Sequence, residues 1–244
     1  MAEWFSNLKA QFILNFIDDN RWKLLVNGVL LTIRIAFFAV ILGVLIGSIV
    51  AIIRSTYDKN QETMARRKGF LYYLFSFVNA ICKVYLAIIR GTPVVVQLMI
   101  MYFIIFASSK NGMLVATLAF GINSGAYVAE ILRGGILSID NGQFEAGRSL
   151  GLNYVQTMIY IIIPQVFKNV LPTLLNEFIA LLKETSVSGY VGIKDLTKGG
   201  DTIRGLTFAP FMPLIAVALL YLMIVLLLTW AAGKVERRLR TSEK

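Results

Sequence analysis

Apolar stretches long enough to cross a lipid bilayer dominate this sequence. Of the 244 residues 57% are hydrophobic, and the mean hydropathy of +0.70 is well above that of an ordinary soluble domain. The first stretch, Leu24 to Ile53, would be about 45 Å long as an α-helix, which is enough to cross at a tilt. We therefore predict an all-α integral membrane protein.

Five transmembrane helices are predicted in a single domain over residues 24 to 244. Four of them each follow from one apolar run, with the bounds Leu24 to Ile53, Met113 to Leu132, Val166 to Val187 and Pro213 to Ala232. The segment 70 to 107 is long enough for one interrupted helix or for two spans. We predict a helix over 70 to 90 that begins along the inner interface, and a membrane-crossing continuation over 93 to 107.

Basic residues predict the orientation of these spans. The predicted loop from Arg54 to Gly69 and the C-terminal tail are both rich in lysine and arginine. Positively charged loops face the cytoplasm, so we expect the N-terminus outside and the C-terminus inside. Two crossings within 70 to 107 would place the tail on the wrong side. Residues 189 to 212 then form an outer loop.

The first 23 residues are predicted to lie along the membrane surface. Their apolar side chains recur at helical spacing: Trp4, Phe5, Leu8, Phe12, Ile13, Phe16 and Ile17. Charged residues interrupt this segment and fall off the apolar stripe, unlike the solid apolar core of a cleavable signal peptide. The pattern is typical of an amphipathic helix in the membrane interface.

A polar, helix-forming segment over about 138 to 165 stands out in the apolar chain. Asp140 is a predicted N-cap, with Gln143 three residues on in the capping-box position. Glu145 lies in the first turn, where its negative charge suits the helix dipole. Gly151 is expected to end this helix in the left-handed conformation, and Pro164 to close a second short helix. The result is a helix-turn-helix knob that something other than lipid must contact.

The knob carries Glu-Ala-Gly at 145 to 147, a glycine after three more residues, and Ile-x-Ile-Pro after nine more. This pattern resembles the EAA loop of ABC importer permeases, in which a cytoplasmic coupling helix docks on an ATPase subunit. Gly147 replaces the second alanine of the pattern and Ile163 replaces a leucine. Gly147 should cost about 1 kcal/mol of helix stability relative to alanine. The resemblance implies ATPase contact by the knob through Glu145, Ala146, Gly147, Gly151 and Pro164.

Other stretches resemble the polar amino acid branch of these permeases, and the likeness runs from about residue 24 to residue 240. They are Asn123 to Glu130, Asn176 to Ser186, and the R-G-T-P element followed by Gln97. A glycine next to a proline also gives a bend a physical cause. The predicted structural hinge consists of Arg90, Gly91, Thr92 and Pro93.

The resemblance implies an alternating-access importer in the plasma (inner) membrane of a prokaryote. Its implied partners are ABC ATPase subunits, a second permease chain, an extracytoplasmic amino acid-binding protein and the amino acid substrate. The chain contains no G-x-x-x-x-G-K-[ST] phosphate loop. We therefore expect ATP hydrolysis in a separate subunit and no enzymatic activity in this chain.

Polar residues in the third and fourth predicted spans are candidates for the substrate site. Residues three, four or seven apart share one helix face, and unpaired charges in a bilayer are expensive enough that they usually face a cavity or each other. Carboxylates suit an ammonium group, whereas amides, hydroxyls and a lysine suit a carboxylate. Structural pairing among these groups is the alternative. The candidates are Asn123, Ser124, Tyr127, Glu130, Asn176, Glu177, Lys183 and Glu184.

Composition excludes several other functions. The sequence has no histidine and one cysteine, Cys82, so we expect no His/Cys metal site, no intrachain disulfide and no resident cofactor. A net charge of +10 would suggest nucleic acid in a soluble protein, but here most basic residues flank apolar runs, so membrane lipid is the expected contact. An ion-gradient-driven transporter or channel would need internal repeats, which are not evident. A membrane enzyme using Glu130 or Glu184 would lack a recognisable nucleophile and base.

Overall fold

The computed structural model describes the backbone of residues 2–66 and 69–241, and the side chains of residues 6–59 and 69–239. Within this part of the chain the regular structure is helical. Ten α-helices follow one another there: α1 Ala2–Phe12, α2 Trp22–Arg66, α3 Phe70–Gly91, α4 Val94–Ile100, α5 Gly112–Leu137, α6 Asn141–Ser149, α7 Tyr154–Thr157, α8 Ile163–Glu184, α9 Leu196–Thr207 and α10 Phe211–Thr241.

Five helical stretches of the described chain are long and apolar enough to cross a membrane. They are Trp22–Lys59, Phe70–Gly91, Gly112–Leu137, Tyr154–Val191 and Phe211–Leu239. The prediction of an all-α protein with five transmembrane helices is therefore confirmed. The orientation of the termini stays a prediction.

The second span differs from its prediction. By length and composition it is Phe70–Gly91, because the apolar stretch Val94–Ile105 is only about 18 Å long as a helix, against about 30 Å of hydrocarbon. The predicted crossing over 93 to 107 is thus wrong. The predicted break before it is present, with Thr92 in an extended conformation (φ −124°, ψ 146°). A residue that precedes proline is sterically disfavoured in the α conformation.

Two predicted loops contain helix. α2 continues through the predicted loop as far as Arg66, and residues 54 to 66 contain neither glycine nor proline to stop it. Arg67 and Lys68 lie outside the described residues. The predicted outer loop over 189 to 212 contains α9, whose N-cap is Asp195. Its carboxylate accepts a hydrogen bond from the Lys198 N–H at 2.8 Å.

The N-terminal segment is helical, as the apolar stripe predicted. α1 continues as a π-helical turn, Ile13–Ile17, and a short 3₁₀ turn, Asp18–Asn20. Leu8 and Phe12 are exposed, whereas Phe16 is buried. The side chains of Trp4 and Phe5 lie outside the described ones. Attachment of this segment to the membrane interface remains a prediction.

The described chain divides into two compact units. The first comprises residues up to Ala39, Val94–Phe120 and Phe178–Trp230. Its core joins the N-terminal segment, α2, α9 and α10 through Phe16, Leu25, Leu196, Ile203 and Val217. A buried hydrogen bond from the Leu196 N–H to the Thr32 hydroxyl, 3.2 Å long, ties the start of α9 to α2.

The second unit contains the knob and comprises Val40–Pro93, Gly121–Glu177 and the chain from Ala231 onward. Here α2 and α5 pack closely, because a Cβ atom on Gly47 would come within 2.6 Å of the Val128 side chain. Buried Cys82 of α3 completes this core with Val50, Leu86, Ala126 and Ala129. α5 leads directly into the knob, since Leu137 ends α5 and Asn141 begins α6.

Candidate functional site

The knob begins at Asp140, as predicted. The Asp140 carboxylate caps α6 by accepting a hydrogen bond from the Gly142 N–H at 2.6 Å. The predicted capping box with Gln143 is wrong, because the Gln143 carboxamide oxygen instead accepts from Gln165 Nε2 at 3.3 Å. The Gln165 side chain, from the start of α8, thus binds the Gln143 oxygen that the capping box would need.

A capping box does form one helix later, where the sequence analysis did not expect one. The Asn153 side chain accepts from the Gln156 N–H, and the Gln156 side chain accepts from the Asn153 N–H, both at 2.9 Å. These two bonds satisfy donors that the start of α7 would otherwise leave unpaired. The asparagine, followed by glutamine three residues on, was the available sequence signal.

Gly151 ends α6 in the predicted left-handed conformation, with φ +77°. The Leu152 N–H bonds to the Gly147 carbonyl at 3.0 Å, and the Gly151 N–H bonds to the Arg148 carbonyl at 2.9 Å. This pair of bonds is the Schellman motif, which satisfies carbonyls at the end of a helix. The first helix of the knob is therefore closed at both ends by local interactions.

Gly147 has a packing role. A Cβ atom at this position would lie 2.6 Å from Thr157 Cγ2 and 2.7 Å from Thr157 Oγ1. Gly147 and Thr157 are both buried, at the point where α6 meets α7. The glycine that departs from the EAA pattern thus permits close contact between the two helices of the knob.

Pro164 does not end the second helix of the knob, so that prediction is wrong. α7 continues as a π-helical turn, Met158–Ile162, and Pro164 lies in the first turn of α8, which runs on to Glu184. A proline is tolerated near a helix start because its missing N–H needs no partner there. The widened turn just before it supplies such a start.

A buried apolar core holds the knob against the end of α5. Its members are Ile136, Ile139, Phe144, Met158, Ile162, Val166 and Val170. Glu145 and Arg148 face outward on α6, and apolar Leu150 and Val155 are 77% and 60% exposed. The knob therefore presents a mixed charged and apolar outer surface on a well-packed base, as a docking element requires.

An open cavity of about 730 Å³ lies beside α6. Glu145 and Arg148 line it from α6, and Lys59 lines it from the extension of α2. The Lys59 ammonium lies 3.3 Å from the centre of the Phe144 ring. In the sequence Lys59 is one of several basic residues in the predicted loop over 54 to 69, and no local pattern links it to Phe144, 85 positions away.

The structure brings two of the predicted substrate residues into direct contact. The Ser124 hydroxyl of α5 donates a hydrogen bond to Glu177 Oε1 of α8 at 3.0 Å. Ser124 is fully buried and neighbouring Asn123 is 2% exposed. Asn176 is exposed. The buried polar contact between α5 and α8 therefore centres on Ser124 and Glu177.

Glu130, also on α5, is engaged by two arginines. Arg133 Nη2 lies 3.1 Å from Glu130 Oε2, and Arg90 Nη1 lies 3.8 Å from Glu130 Oε1. The Arg90 guanidinium also lies 5.9 Å from the centre of the Tyr127 ring. Arg133 was missed in the sequence analysis, although its i,i+3 spacing from Glu130 is a recognised pairing signal. Glu130 is therefore paired in this structure, and its place in the substrate site stays a prediction.

Comparison with known proteins establishes the family. Residues 43–241 match the family described as "Binding-protein-dependent transport system inner membrane component". The chain belongs to this family. It is the permease subunit of an ABC importer and a multi-pass protein of the bacterial inner membrane.

Curated relatives of this permease come from several bacteria. The putative glutamine transport system permease protein GlnP of Rickettsia typhi is 34% identical over 88% of this chain and 92% of its own length. The arginine transport system permease protein ArtQ of Bacillus subtilis is 32% identical over 90% and 94%. The glutamine transport system permease protein GlnP of Escherichia coli K12 is 39% identical over 66% and 76%.

Solved structures share the fold of the permease. A chain from a crystal structure of an amino acid ABC transporter with histidines has a TM-score of 0.77 at 35% identity, covering 91% of this chain and 98% of its own length. A chain of the MetNI methionine ABC transporter, in inward-facing conformations, has a TM-score of 0.73 at 22% identity, covering 89% and 97%.

The remaining predicted site residues of the permease lie in the other unit or at the helix break. Lys183 and Glu184 belong to the first unit, where exposed Lys183 lines a cavity of about 300 Å³ with Thr197 and Tyr221. Thr92 and Pro93 form the break after α3, and the Thr92 hydroxyl caps α3 by donating to the Ile88 carbonyl at 2.8 Å.

Proposed function

We propose that this permease imports polar amino acids, powered by ATP hydrolysis in a separate subunit that docks on the knob. The observation that carries the proposal is the well-capped α6, which presents Glu145 outward on a packed base. The relatives named for glutamine and arginine transport support the substrate class. Docked motion would switch the permease between outward- and inward-facing states.

Contact with the ATPase uses one face of the knob. Glu145 offers a charge for an ion pair, and Ala146, beside it, is also exposed. Gly147 and Gly151 act indirectly, since one permits the close packing of the knob and the other ends α6. Pro164 contributes to the start of α8 and so to the base of the knob.

The substrate site is built around the polar contact between α5 and α8. A carboxylate such as Glu177 is a strong acceptor for the ammonium group that all amino acids share. Ser124 orients this carboxylate by its hydrogen bond. Amide and hydroxyl groups of Asn123 and Tyr127 on the same helix supply donors for the substrate carboxylate. Asn176 is a further candidate donor for the substrate carboxylate. Lys183, as a donor, and Glu184, as an acceptor for the ammonium group, belong to the first unit and stay sequence predictions.

Glu130 has a supporting role in this proposal. Its two arginine neighbours already neutralise its charge, so an ammonium group would have to displace one of them. Glu130 instead holds Arg90 near Tyr127. Arg90, Gly91, Thr92 and Pro93 form a hinge at the end of α3, where the broken helix can absorb backbone rotation.

The complete transporter contains two permease chains, two ATPase subunits and an extracytoplasmic binding protein. The family description, a component of binding-protein-dependent systems, supports the presence of the binding protein. The ATPase hydrolyses ATP, and the permease forms the path of the substrate through the membrane.

The test is uptake by the purified complex in proteoliposomes. We expect uptake of glutamine or arginine to require ATP on the side of the membrane that carries the ATPase. It should also require the binding protein on the opposite side. Leucine serves as the apolar control substrate. Uptake that is driven by an ion gradient without ATP would support the secondary-transporter alternative instead and overturn the proposal.

A further inference from the structure

Two adjacent residues on the extension of α2 contact different parts of the second unit. Asp58 Oδ2 lies 3.3 Å from Arg133 Nη1 near the end of α5. Lys59, the next residue, places its ammonium 3.3 Å from the centre of the Phe144 ring in α6. The extension of α2 thus touches both the helix that leads into the knob and the first helix of the knob.

The contact between Lys59 and Phe144 is largely shielded from water. The Lys59 Nζ atom is buried and has no hydrogen-bond partner among the side chains that the structure describes. Phe144 is only 9% exposed and belongs to the core of the knob. A desolvated cation over an aromatic face is attracted more strongly than an exposed one. The ring of Phe144 therefore stabilises this ammonium group.

The contact between Asp58 and Arg133 belongs to a longer chain of charges. Arg133 pairs with Glu130 at 3.1 Å, and Glu130 pairs with Arg90 at 3.8 Å. Asp58, Arg133 and Glu130 side chains are 25% to 31% exposed, so the chain is only partly screened by solvent. It runs from the extension of α2, through α5, to the end of α3.

We propose that the extension of α2 is a strut that locks the coupling helix α6 to α5, with Lys59 and Asp58 as its positioning residues. This inference rests on the proposed docking of an ATPase at the knob. Neither residue is a catalytic or substrate-binding group. Their task is to make α6 and α5 move together, so that motion at the ATPase reaches the polar contact of Ser124 and Glu177.

The strut adds to the apolar core that already packs the knob against the end of α5. Only residues 138–140, which are not helical, connect α5 to α6, so side-chain contacts fix the angle between these two helices. Energetic coupling between distant sites travels through packed side chains and charge networks that have discrete arrangements. The two contacts of α2 reinforce this joint, one at Arg133 near the end of α5 and one at Phe144 in α6.

The test compares variants of Lys59 in the reconstituted complex, measured as substrate transported per ATP hydrolysed. Lys59→Met keeps the apolar stem without the charge and should lower this ratio about tenfold. Lys59→Arg keeps the cation and should remain close to wild type. Lys168→Met, the same change at an exposed lysine of α8, is the matched control.

A double-mutant cycle isolates the contact itself. Phe144→Leu removes the ring but keeps an apolar side chain, and it should lower the ratio as Lys59→Met does. In the Phe144→Leu background, Lys59→Met should have little further effect, since the shared interaction is already lost. The proposal is overturned if the double variant lowers the ratio by the product of the two single effects. It is also overturned if neither single variant changes the ratio.

Asp58 provides a second arm that does not depend on the core of the knob. Asp58→Asn should lower the ratio of transport to ATP hydrolysis. Asp58→Glu, which keeps the carboxylate, should leave this ratio close to that of the wild type. If Lys59→Met prevents assembly, an unchanged ratio in Asp58→Asn overturns the proposal. Failure of the wild-type permease to bind an ATPase would instead overturn the proposed function, so the two failures are distinguishable.

Discussion

Gly147 lies so close to Thr157 that a Cβ atom on the glycine would come within 2.6 Å of the threonine methyl carbon. Real Cβ atoms essentially never make contacts that short, and a β-branched side chain has few rotamers into which it can withdraw. The first helix of the knob therefore depends on a residue with low helix propensity, because a better helix former would push its neighbour away.

Gly147→Ala should therefore impair the knob, although alanine is the better helix former by about 1 kcal/mol. We expect less ATPase to co-purify with this variant than with wild type. The double variant Gly147→Ala, Thr157→Ala should recover part of the binding, because the nearest contact then lengthens from 2.6 Å to 3.2 Å. Gly134→Ala in α5 is the control, since a Cβ atom there meets nothing within 4 Å. Wild-type binding by Gly147→Ala alone would contradict the packing argument.

Glu145→Lys should uncouple ATP hydrolysis from uptake without preventing insertion into the membrane. The reversed charge turns an ion pair with the ATPase into a repulsion, whereas Glu145 is exposed and its loss leaves the core of the knob intact. Membrane fractionation checks insertion, and ATPase stimulation checks coupling. Ser108→Lys, at an exposed serine of the first unit, is the control for added charge. Normal stimulation of the ATPase by the Glu145→Lys variant would show that Glu145 does not lie on the docking face.

Accessibility of single cysteines should report the predicted orientation. In a Cys82→Ser background, a cysteine at exposed Ser149 should react only with reagents on the cytoplasmic side. A cysteine at Gly205, exposed at the end of α9, should react from outside. Labelling of Ser149→Cys from outside would contradict the predicted orientation of the knob and would favour two crossings within 70 to 107.

Glu177→Gln should raise the substrate concentration needed for half-maximal uptake by roughly tenfold, because a charge-assisted hydrogen bond to the ammonium group is lost. Ser124→Ala should act in the same direction but less strongly, since it only frees the Glu177 carboxylate. Basal ATPase activity should remain unchanged. Wild-type concentration dependence in both variants would place the substrate elsewhere.

Stability of the protein should depend on pH through Asp195, which lies outside the long apolar helices. Burial raises the pKa of its carboxyl group from 3.8 to about 6, the hydrogen bond from Lys198 N–H opposing the shift only in part. The neutral form thus fits the fold better. The neutral carboxyl group contributes about 3 kcal/mol to the free energy of unfolding. This contribution is fully present below the ordinary pKa of 3.8 and is lost as the pH rises through about 6.

Thermal unfolding in detergent between about pH 4 and pH 6.5 checks this prediction. The midpoint temperature of unfolding of the wild type should fall as the pH rises across this range. In Asp195→Asn this temperature should depend less on pH, because asparagine cannot ionise. Asp201→Asn is the control. Arg204 and Lys198 lower the pKa of Asp201, so its contribution is lost only below its ordinary value. An equal slope in Asp195→Asn and wild type would rule out Asp195 as the cause.

Sequence by itself determined the features of this protein whose physical cause is local. Apolar runs longer than the bilayer required five transmembrane helices, Asp140 and Gly151 marked the ends of α6, and the step from Thr92 to Pro93 broke a helix. Each of these follows from a hydropathy pattern, a cap or a restricted backbone angle within a few residues.

Tertiary structure decided which polar groups meet. The packing of Gly147 against Thr157, the loss of the first capping box to Gln165, and the pairing of Lys59 with Phe144 depend on neighbours that the local pattern does not name. Glu130 shows the consequence for function, because helical spacing placed it on the polar face of α5 and only the fold put Arg90 beside it. Contacts between residues far apart in the chain arise from packing, and packing depends on all the helices at once.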